Sequence, residues 1–181
     1  HFYFSTGEGL FSHHPDLSSF PFKDWARLSR ECWRAPDEQM VRDQDPAGYM
    51  PLREAIASHL GLWRGLTVDP DDVIITTGIT PSLFMMTRRV VGGQDTAWVE
   101  EPGFQQAKNA LTSVGASAVP IPVDEEGIKV AQGIALAPAA KAAFVTPSHH
   151  HPLGYALSRQ RRCDLLAWAE QNNSVIFEDD H

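Results

Sequence analysis

Hydrophobic and polar positions follow two different patterns along this chain. Up to about residue 72, apolar residues recur at helical spacing in two stretches, 22–34 and 51–64, each flanked by turn-forming residues. This spacing predicts two amphipathic helices, and Pro51 suits the first turn of the second one. Beyond these helices, short apolar runs of strand length alternate with longer amphipathic stretches. The pattern therefore predicts a helical first part followed by strand–helix units.

The second part is predicted to form an α/β fold. Its predicted strands lie at 73–76, 96–99, 116–123, 142–145 and 174–177. Its predicted helices lie at 81–91, 104–114 and 158–172, and Ser158 is the expected N-cap of the last one. The Ala-rich stretch 131–143 is expected to be a loop with a short helix. Strands that alternate with helices favour a mostly parallel sheet flanked by helices on both faces.

Chemically distinctive residues follow several of the predicted strands. Gly78 stands where a helix begins, Phe104 follows a Glu-Pro-Gly turn, and Asp179 follows the last apolar run. Ligands of open α/β sheets bind at the carboxyl ends of the strands, so one composite site is predicted. A helix N-terminus can hold phosphate, an aromatic ring can cover a planar ligand, and a carboxylate can pair with a cation. Each residue also has a structural explanation, as a capped turn, a hydrophobic plug or a strand-end carboxylate.

Histidines form a run at 149–151 and a pair at 13–14. Consecutive residues of an extended chain point to alternating sides, so three adjacent histidines do not readily share one ion. The sequence therefore predicts no metal site, and the histidines of the run are expected to form local hydrogen bonds.

Composition and charge narrow the possible functions. Fifteen basic and 23 acidic side chains give a formal net charge of −8, which disfavours a nucleic-acid surface on this segment. Arg159, Arg161 and Arg162, at the start of the last predicted helix, are expected to form a solvated face. The two cysteines, Cys32 and Cys163, indicate no disulfide framework and fit a reducing cytoplasm. No apolar run approaches the length of a membrane span.

Taken in order, these stretches resemble the fold-type-I pyridoxal-phosphate aminotransferases of class I/II. Within them, the chain is most similar to the aminotransferase-like domain of GntR-type transcriptional regulators of the MocR group. The matching stretches lie at 45–53, 63–65, 74–78, 99–104, 146–154, 161–166 and 178–180. The resemblance implies an N-terminal arm or small-domain part at 1–47. It also implies that 48–181 is the N-terminal portion of the large domain that binds pyridoxal 5'-phosphate.

The resemblance implies roles for the residues at the strand ends. Backbone N–H groups of Gly78 and Ile79 and the hydroxyl of Thr80 would hold the cofactor phosphate. Phe104 would stack on the pyridine ring. Asp179 would pair with the ring nitrogen and keep it protonated, so that the ring accepts electrons.

Two histidines stand at positions that contact the cofactor ring in the family. His151 replaces the Asn with which simple aminotransferases contact the ring hydroxyl, where regulator relatives usually carry an aromatic residue. His181 stands where regulator relatives usually carry Tyr, and an imidazole also donates to a ring oxygen. Both are therefore counted among the candidate cofactor-binding residues.

The family's Schiff-base lysine lies on a loop beyond the strand that ends at the aspartate. Lys23, Lys108, Lys129 and Lys141 match none of that motif, so no catalytic residue is assigned and residues 1–181 alone are not expected to transaminate. The family also places the 73–76 strand beside strands that would follow residue 181. The segment alone is therefore expected to expose strand edges and to be poorly soluble.

Three functions are compatible with these observations. The first is the effector-sensing domain of a GntR/MocR-type regulator, which binds pyridoxal phosphate and an amino acid or amine and contacts DNA only through a separate N-terminal domain. The second is an aminotransferase that moves an amino group between an amino acid and a 2-oxo acid. The third is a metal-dependent hydrolase that uses the histidine run. The resemblance implies a cytoplasmic homodimer, and whether Arg53 binds a substrate carboxylate is left open.

Overall fold

The computed structural model describes residues 17–42 and 45–180, and the chain divides into two compact units after Ile75. The first unit contains three α-helices within its described residues. They are α1 (Phe22–Arg34), α2 (Glu38–Val41) and α3 (Met50–Arg64). Short 3-10 turns at Leu17–Ser19 and Pro70–Asp72 complete it. The two helices predicted at 22–34 and 51–64 are thus confirmed.

Arg53 organises the end of the first unit. Its side chain is 2% exposed, and its guanidinium donates to the Pro70 carbonyl at 3.0 Å, to Asp71 at 2.9 Å and to Asp45 at 3.4 Å. A guanidinium buried in this way needs all of these acceptors, because an unpaired buried charge is costly. Arg53 therefore ties α3 to its flanking turns, and its donors are already engaged within this unit.

The second unit is a mostly parallel α/β sheet with helices on both faces. Its strands are β1 (Thr96–Glu101), β2 (Ser117–Asp124), β3 (Gly127–Ile128), β4 (Ala142–Val145) and β5 (Val175–Glu178). Its helices are α4 (Ile79–Val90), α5 (Gln105–Ser113), α6 (Val130–Leu136) and α7 (Arg159–Asn172). The strand order is β3-β2-β1-β4-β5, and the β2–β3 pair alone is antiparallel among the described strands. The predicted α/β class is confirmed.

The alternation of side chains along β1 builds a core on each face of the sheet. Ala97 and Val99 pack with α4 and α5, whereas Trp98 packs with α6 and α7. On the second face Trp98 stacks on Trp168 with ring centroids 3.7 Å apart, and each indole N–H donates to a backbone carbonyl at 2.9 Å. Because both faces are covered, β1 is buried from Ala97 to Glu100.

One local prediction needs correction, and one short strand was not predicted. Val73–Thr76 was expected to be a strand, but it belongs to none of the strands in the described part of the chain. An apolar run becomes a strand only where a ladder partner lies beside it, and here the backbone N–H of Ile75 donates to the Ala47 carbonyl instead. The short hairpin strand β3 was not predicted, since two residues are too few to show a period of two. The Ser158 N-cap is confirmed, because its side chain accepts from the Arg161 N–H.

The predicted domain boundary between residues 47 and 48 differs from the division after Ile75. The two boundaries describe different properties, since one follows compactness and the other follows the family resemblance. The assignment of 1–47 to an arm and of 48–181 to the large domain therefore stays a prediction.

Candidate functional site

A cleft opens at the carboxyl ends of β1, β4 and β5, where the α/β fold places ligand sites. It contains about 520 Å³ of space, counting the part that is open to solvent. It is lined by Ile79, Ser82, Leu83, Met86, Val99, Glu100, Phe104, Ala107, Phe144, Val145, Thr146, Phe177, Glu178 and Asp179. Most of these side chains are apolar, and carboxyl groups of β1 and of the β5 end supply the charge. Such a cleft suits a flat, partly charged small molecule.

The structure brings three of the predicted site residues together in this cleft. Phe104 stands at the N-terminus of α5 and packs on the α4–α5 core, Ile79 begins α4, and Asp179 follows β5. The backbone N–H of Asp179 donates to the Val145 carbonyl at 2.9 Å, so the residue continues the pairing of β5 with β4. Because the position of Asp179 is fixed by sheet hydrogen bonds, its carboxylate is held at the cleft. The ligand roles of these residues stay predictions.

The N-terminus of α4 lies beside the cleft and has no side-chain cap among the described residues. Gly78 precedes it at φ +139°, a conformation that favours glycine, and no described atom lies within 4 Å of the place where a Cβ would stand. The first-turn N–H groups at Ile79 and Thr80 have no intrahelical acceptor. This end of α4 is therefore open to an anion, although Gly78 and Thr80 themselves do not line the cleft.

Hydroxyl groups support the same turn. Thr76 Oγ1 lies 2.6 Å from Ser82 Oγ, and both hydroxyls lie within hydrogen-bond distance of the Gly78 carbonyl, at 3.2 and 3.0 Å. Ser82 lines the cleft and was not singled out from the sequence. The signal for it was weak, because a serine one turn into a helix is more often a solvent-facing residue than part of a site.

Among the described residues, His151 does not line the cleft either. His151 is half-buried in the segment between β4 and α7, and His181 lies outside the described residues. His150 is buried, its Nδ1 lies 3.4 Å from the Leu153 N–H that donates to it, and its backbone bonds to Tyr155 and Gly154. The expected local hydrogen bonds of the histidine run are thus present at His150.

The histidine run at 149–151 forms no metal centre in the part of the chain that the structure describes. Within residues 17–42 and 45–180, no three His, Cys, Asp or Glu side chains are grouped to hold an ion. His13 and His14 lie outside the described residues.

A buried carboxyl group, Glu100, is the main feature that sequence reasoning missed. Its Oε2 accepts from the Thr146 backbone N–H at 3.0 Å and from the Thr146 hydroxyl at 2.5 Å. His150 Nε2 lies 3.5 Å from the same oxygen. Burial raises the pKa of Glu100 to about 7; the Thr146 hydrogen bonds oppose this shift, and the charge of Asp179 adds to it. Burial also lowers the pKa of His150, so both groups are driven towards their neutral forms.

The signal for Glu100 was present in the sequence. The run Ala97-Trp98-Val99 continues directly into it, and Glu100 shares the burial of that run. Its hydrogen-bond partner Thr146 lies 46 residues further along the chain, so the network itself could not be predicted locally.

The expectation of a solvated arginine face is wrong for Arg161. Its side chain is 17% exposed and donates to both Asp124 oxygens at 2.7 and 2.9 Å and to the Gly127 carbonyl at 2.6 Å. The β2–β3 hairpin carries these acceptors to the start of α7. The hydrogen bond from Arg161 is the main cause that lowers the pKa of Asp124 to about 2. Arg161 is therefore a structural clamp for the hairpin.

These features define an α/β domain with a cleft at the carboxyl edge of its mostly parallel sheet. The family of class I and II aminotransferases matches residues 11–181, and the chain belongs to that family.

Two curated relatives are regulatory proteins by name. The probable rhizopine catabolism regulatory protein MocR of Rhizobium meliloti is 35% identical over 168 residues, which cover 93% of this chain and 34% of the relative. The HTH-type pyridoxine biosynthesis transcriptional regulator PdxR of Corynebacterium glutamicum is 32% identical over 166 residues, covering 92% of this chain and 35% of the relative. The chain thus spans about a third of the length of the curated relatives it matches.

A solved enzyme structure shares the fold. The kynurenine aminotransferase of Pyrococcus horikoshii, in complex with PMP, superimposes with a TM-score of 0.82 and 26% identity. The match covers 92% of this chain and 43% of that enzyme. The predicted architecture is therefore confirmed.

No helix of the described residues is both long enough and apolar enough to cross a bilayer.

Proposed function

We propose that this chain is a pyridoxal-phosphate-binding, aminotransferase-like domain that senses an amino acid or amine in a GntR/MocR-type transcriptional regulator. The observation that carries the proposal is the cleft, where Phe104, Asp179 and the first turn of α4 meet in a member of the class I and II aminotransferase family. Each of the three features suits a different part of one cofactor.

The residues present fit pyridoxal phosphate. The apolar walls and the Phe104 ring suit the faces of a pyridine, and the Asp179 carboxylate suits a protonated ring nitrogen. The uncapped start of α4 offers N–H groups at Gly78, Ile79 and Thr80 to a phosphate. When bound, the cofactor supplies an electron-accepting ring and an aldehyde that reacts with amines. The chain's own residues orient the ring, hold its nitrogen proton and exclude water from its faces.

The names of the curated relatives support a regulator. Both MocR and PdxR are named as regulatory proteins, and they exceed 30% identity over more than nine-tenths of this chain. DNA contact through a separate N-terminal domain, homodimer formation and a cytoplasmic location belong to the same proposal. The free thiols of Cys32 and Cys163 support a reducing compartment.

An aminotransferase remains the second candidate because the matched solved structure is an enzyme of that class. The two candidates separate in assays of the complete gene product that contains residues 1–181. Steady-state transfer of an amino group to a 2-oxo acid supports the enzyme. Operator binding that changes when an amine and pyridoxal phosphate are added, without turnover, supports the regulator.

Cofactor binding is tested by titrating the complete gene product with pyridoxal phosphate and following its visible absorption. We expect Asp179→Asn to weaken binding by about a hundredfold, since losing a hydrogen-bonded charge pair in a partly buried site costs on the order of 3 kcal/mol. Asp164→Asn, on exposed α7 surface, is the matched control and should bind as the wild type does. Equal affinities for the wild type and Asp179→Asn would refute the assigned role of Asp179.

Borohydride reduction adds an independent reading of the same complex. We expect covalent trapping of the cofactor in the complete gene product and none in residues 1–181. Trapping at Lys23, Lys108, Lys129 or Lys141 would show that the segment carries its own anchoring amine.

A further inference from the structure

Three polar groups from one segment converge on a single carboxylate oxygen at the floor of the cleft. Glu100 Oε2 accepts from the N–H and the hydroxyl of Thr146, at 3.0 and 2.5 Å, and His150 Nε2 lies 3.5 Å away. The side chains of Glu100 and His150 are 6% and 1% exposed. An apolar residue would fill this space without the cost of burying a carboxyl group. A buried acid at this place therefore has a task beyond packing.

The segment that Glu100 holds is the one that connects β4 to α7. Thr146 follows Val145 directly, and the Val145 carbonyl accepts the Asp179 N–H at 2.9 Å. Val145 and Thr146 are thus bonded to both neighbouring strands: Thr146 donates to Glu100 of β1, and Val145 accepts from Asp179 after β5. The ends of three strands are joined around the cleft through these two residues.

The same segment also fixes His150 and thereby its neighbour. Because Nδ1 accepts from the Leu153 N–H, the neutral imidazole carries its proton on Nε2, which faces Glu100. The backbone of His150 closes a turn with Tyr155 at 2.9 Å and Gly154 at 2.6 Å. His151 follows His150 directly in this turn, so its position depends on the contact between His150 and Glu100.

We propose that Glu100 is a positioning residue for the bound cofactor: it holds the Thr146–Gly154 segment, which carries His151, against the end of β1 at the cleft that Asp179 lines. The inference rests on the proposed function, because it concerns the same cleft. Glu100 itself lines that cleft together with Asp179, so its protonation state also affects whatever the cleft binds.

The groups around Glu100 determine how the absorption of bound pyridoxal phosphate should depend on pH. Asp179 faces it after β5, and His150 faces it from the β4–α7 segment, with the Pro102 carbonyl and His151 interacting with that imidazole. From α4 and α5 the cleft receives the apolar side chains of Leu83 and Phe104. Removing the Glu100 carboxyl group is therefore expected to shift the pH at which the absorption of bound pyridoxal phosphate changes.

The test compares Glu100→Ala, Glu100→Gln and Thr146→Val in the complete gene product, with Glu101→Gln as the matched control. Glu101 is the next residue, is exposed and pairs with Lys108. Binding of pyridoxal phosphate and the pH profile of its absorption are measured for each. We expect Glu100→Ala to weaken binding about tenfold or more, because it removes the acceptor of both Thr146 hydrogen bonds at the cleft.

The Glu100→Gln variant separates the effect of side-chain shape from the effect of ionisation. Its amide oxygen still accepts from Thr146, so we expect Glu100→Gln to bind within about threefold of the wild type but with a shifted pH profile. Thr146→Val removes only the hydroxyl donor and should fall between the two. If Glu100→Ala does not fold, as judged by circular dichroism and melting, these two variants carry the test.

The outcomes are distinct. A wild-type protein that binds no pyridoxal phosphate overturns the proposed function, and this inference with it. If the wild type binds but all three variants match Glu101→Gln in affinity and pH profile, the inference alone is overturned, even where melting temperatures fall. Weaker binding by Glu100→Ala with rescue by Glu100→Gln supports it.

Discussion

Two acidic side chains of the sheet-containing unit meet opposite surroundings. Glu100 is buried at the floor of the cleft beside a threonine and a neutral imidazole, and its pKa is raised to about 7. Asp124, 36% exposed at the β2–β3 hairpin, is clamped by Arg161 and its pKa is lowered to about 2. The Asp124 pair stabilises the fold when ionised, whereas ionised Glu100 lowers stability. An acid kept where its charge costs stability indicates a functional position.

The largest stability effect is expected at Glu100. The unfolded carboxyl group ionises near its ordinary pKa of 4.5, whereas the folded one keeps its proton up to about pH 7. The free energy of unfolding therefore falls as pH rises from about 4.5 to about 7. A glutamine side chain does not ionise, so Glu100→Gln escapes this loss. Between about pH 5 and pH 8, we expect its free energy of unfolding to rise relative to that of the wild type by on the order of 2 kcal/mol.

Denaturant unfolding at several pH values measures this gain, with Glu101→Gln as control. The lowered pKa of His150 acts in the opposite direction, destabilising the fold as pH falls below its ordinary value of 6.5, but it is present in both proteins. A constant difference between the wild type and Glu100→Gln across this range would contradict the raised pKa.

A smaller effect is expected at the hairpin clamp. Arg161→Ala removes the bidentate contact with Asp124 and the bond to the Gly127 carbonyl, and it should lower the free energy of unfolding by about 1–2 kcal/mol. Arg159→Ala, two residues earlier and exposed, is the control. Affinity for pyridoxal phosphate should not change, because this clamp lies outside the cleft. A large loss of affinity would show that the hairpin clamp and the cleft are coupled, and it would contradict this prediction.

The smallest effect is the acid titration of Asp124. Its pKa is depressed in the folded state, so its contribution is present above the ordinary value of 3.8 and is lost as pH falls towards about 2. Solvent screening at this half-exposed pair limits the contribution to less than about 1 kcal/mol. The free energy of unfolding of Asp124→Asn should depend slightly less on pH in this range than that of the wild type. This difference should become smaller in high salt.

Local patterns predicted the elements that local forces determine. Helix α1 and strand β4 have the predicted bounds, and Ser158 caps α7 as expected. The cleft followed from one general rule, since strand ends of a parallel sheet share an edge. Phe104 and Asp179 meet there although 75 residues separate them.

The features that the sequence did not predict all depend on distant partners. Val73–Thr76 has strand-forming residues, but pairing, not propensity, decides whether a strand forms. Arg161 finds Asp124 across 37 residues, and Glu100 finds Thr146 across 46. The hydrophobic periodicity of a sequence does not show which hydrogen-bond acceptor a distant loop supplies. Such contacts decide whether a charged residue is solvated, structural or functional.

The central claim is that Asp179 faces the ring nitrogen of pyridoxal phosphate in the cleft. A crystal structure of the complete gene product with this cofactor tests it directly. We expect the ring nitrogen within about 3 Å of an Asp179 carboxylate oxygen, with Phe104 against the ring face and the phosphate at the start of α4. A cofactor bound elsewhere, or an Asp179 carboxylate turned away from the ring, would contradict it.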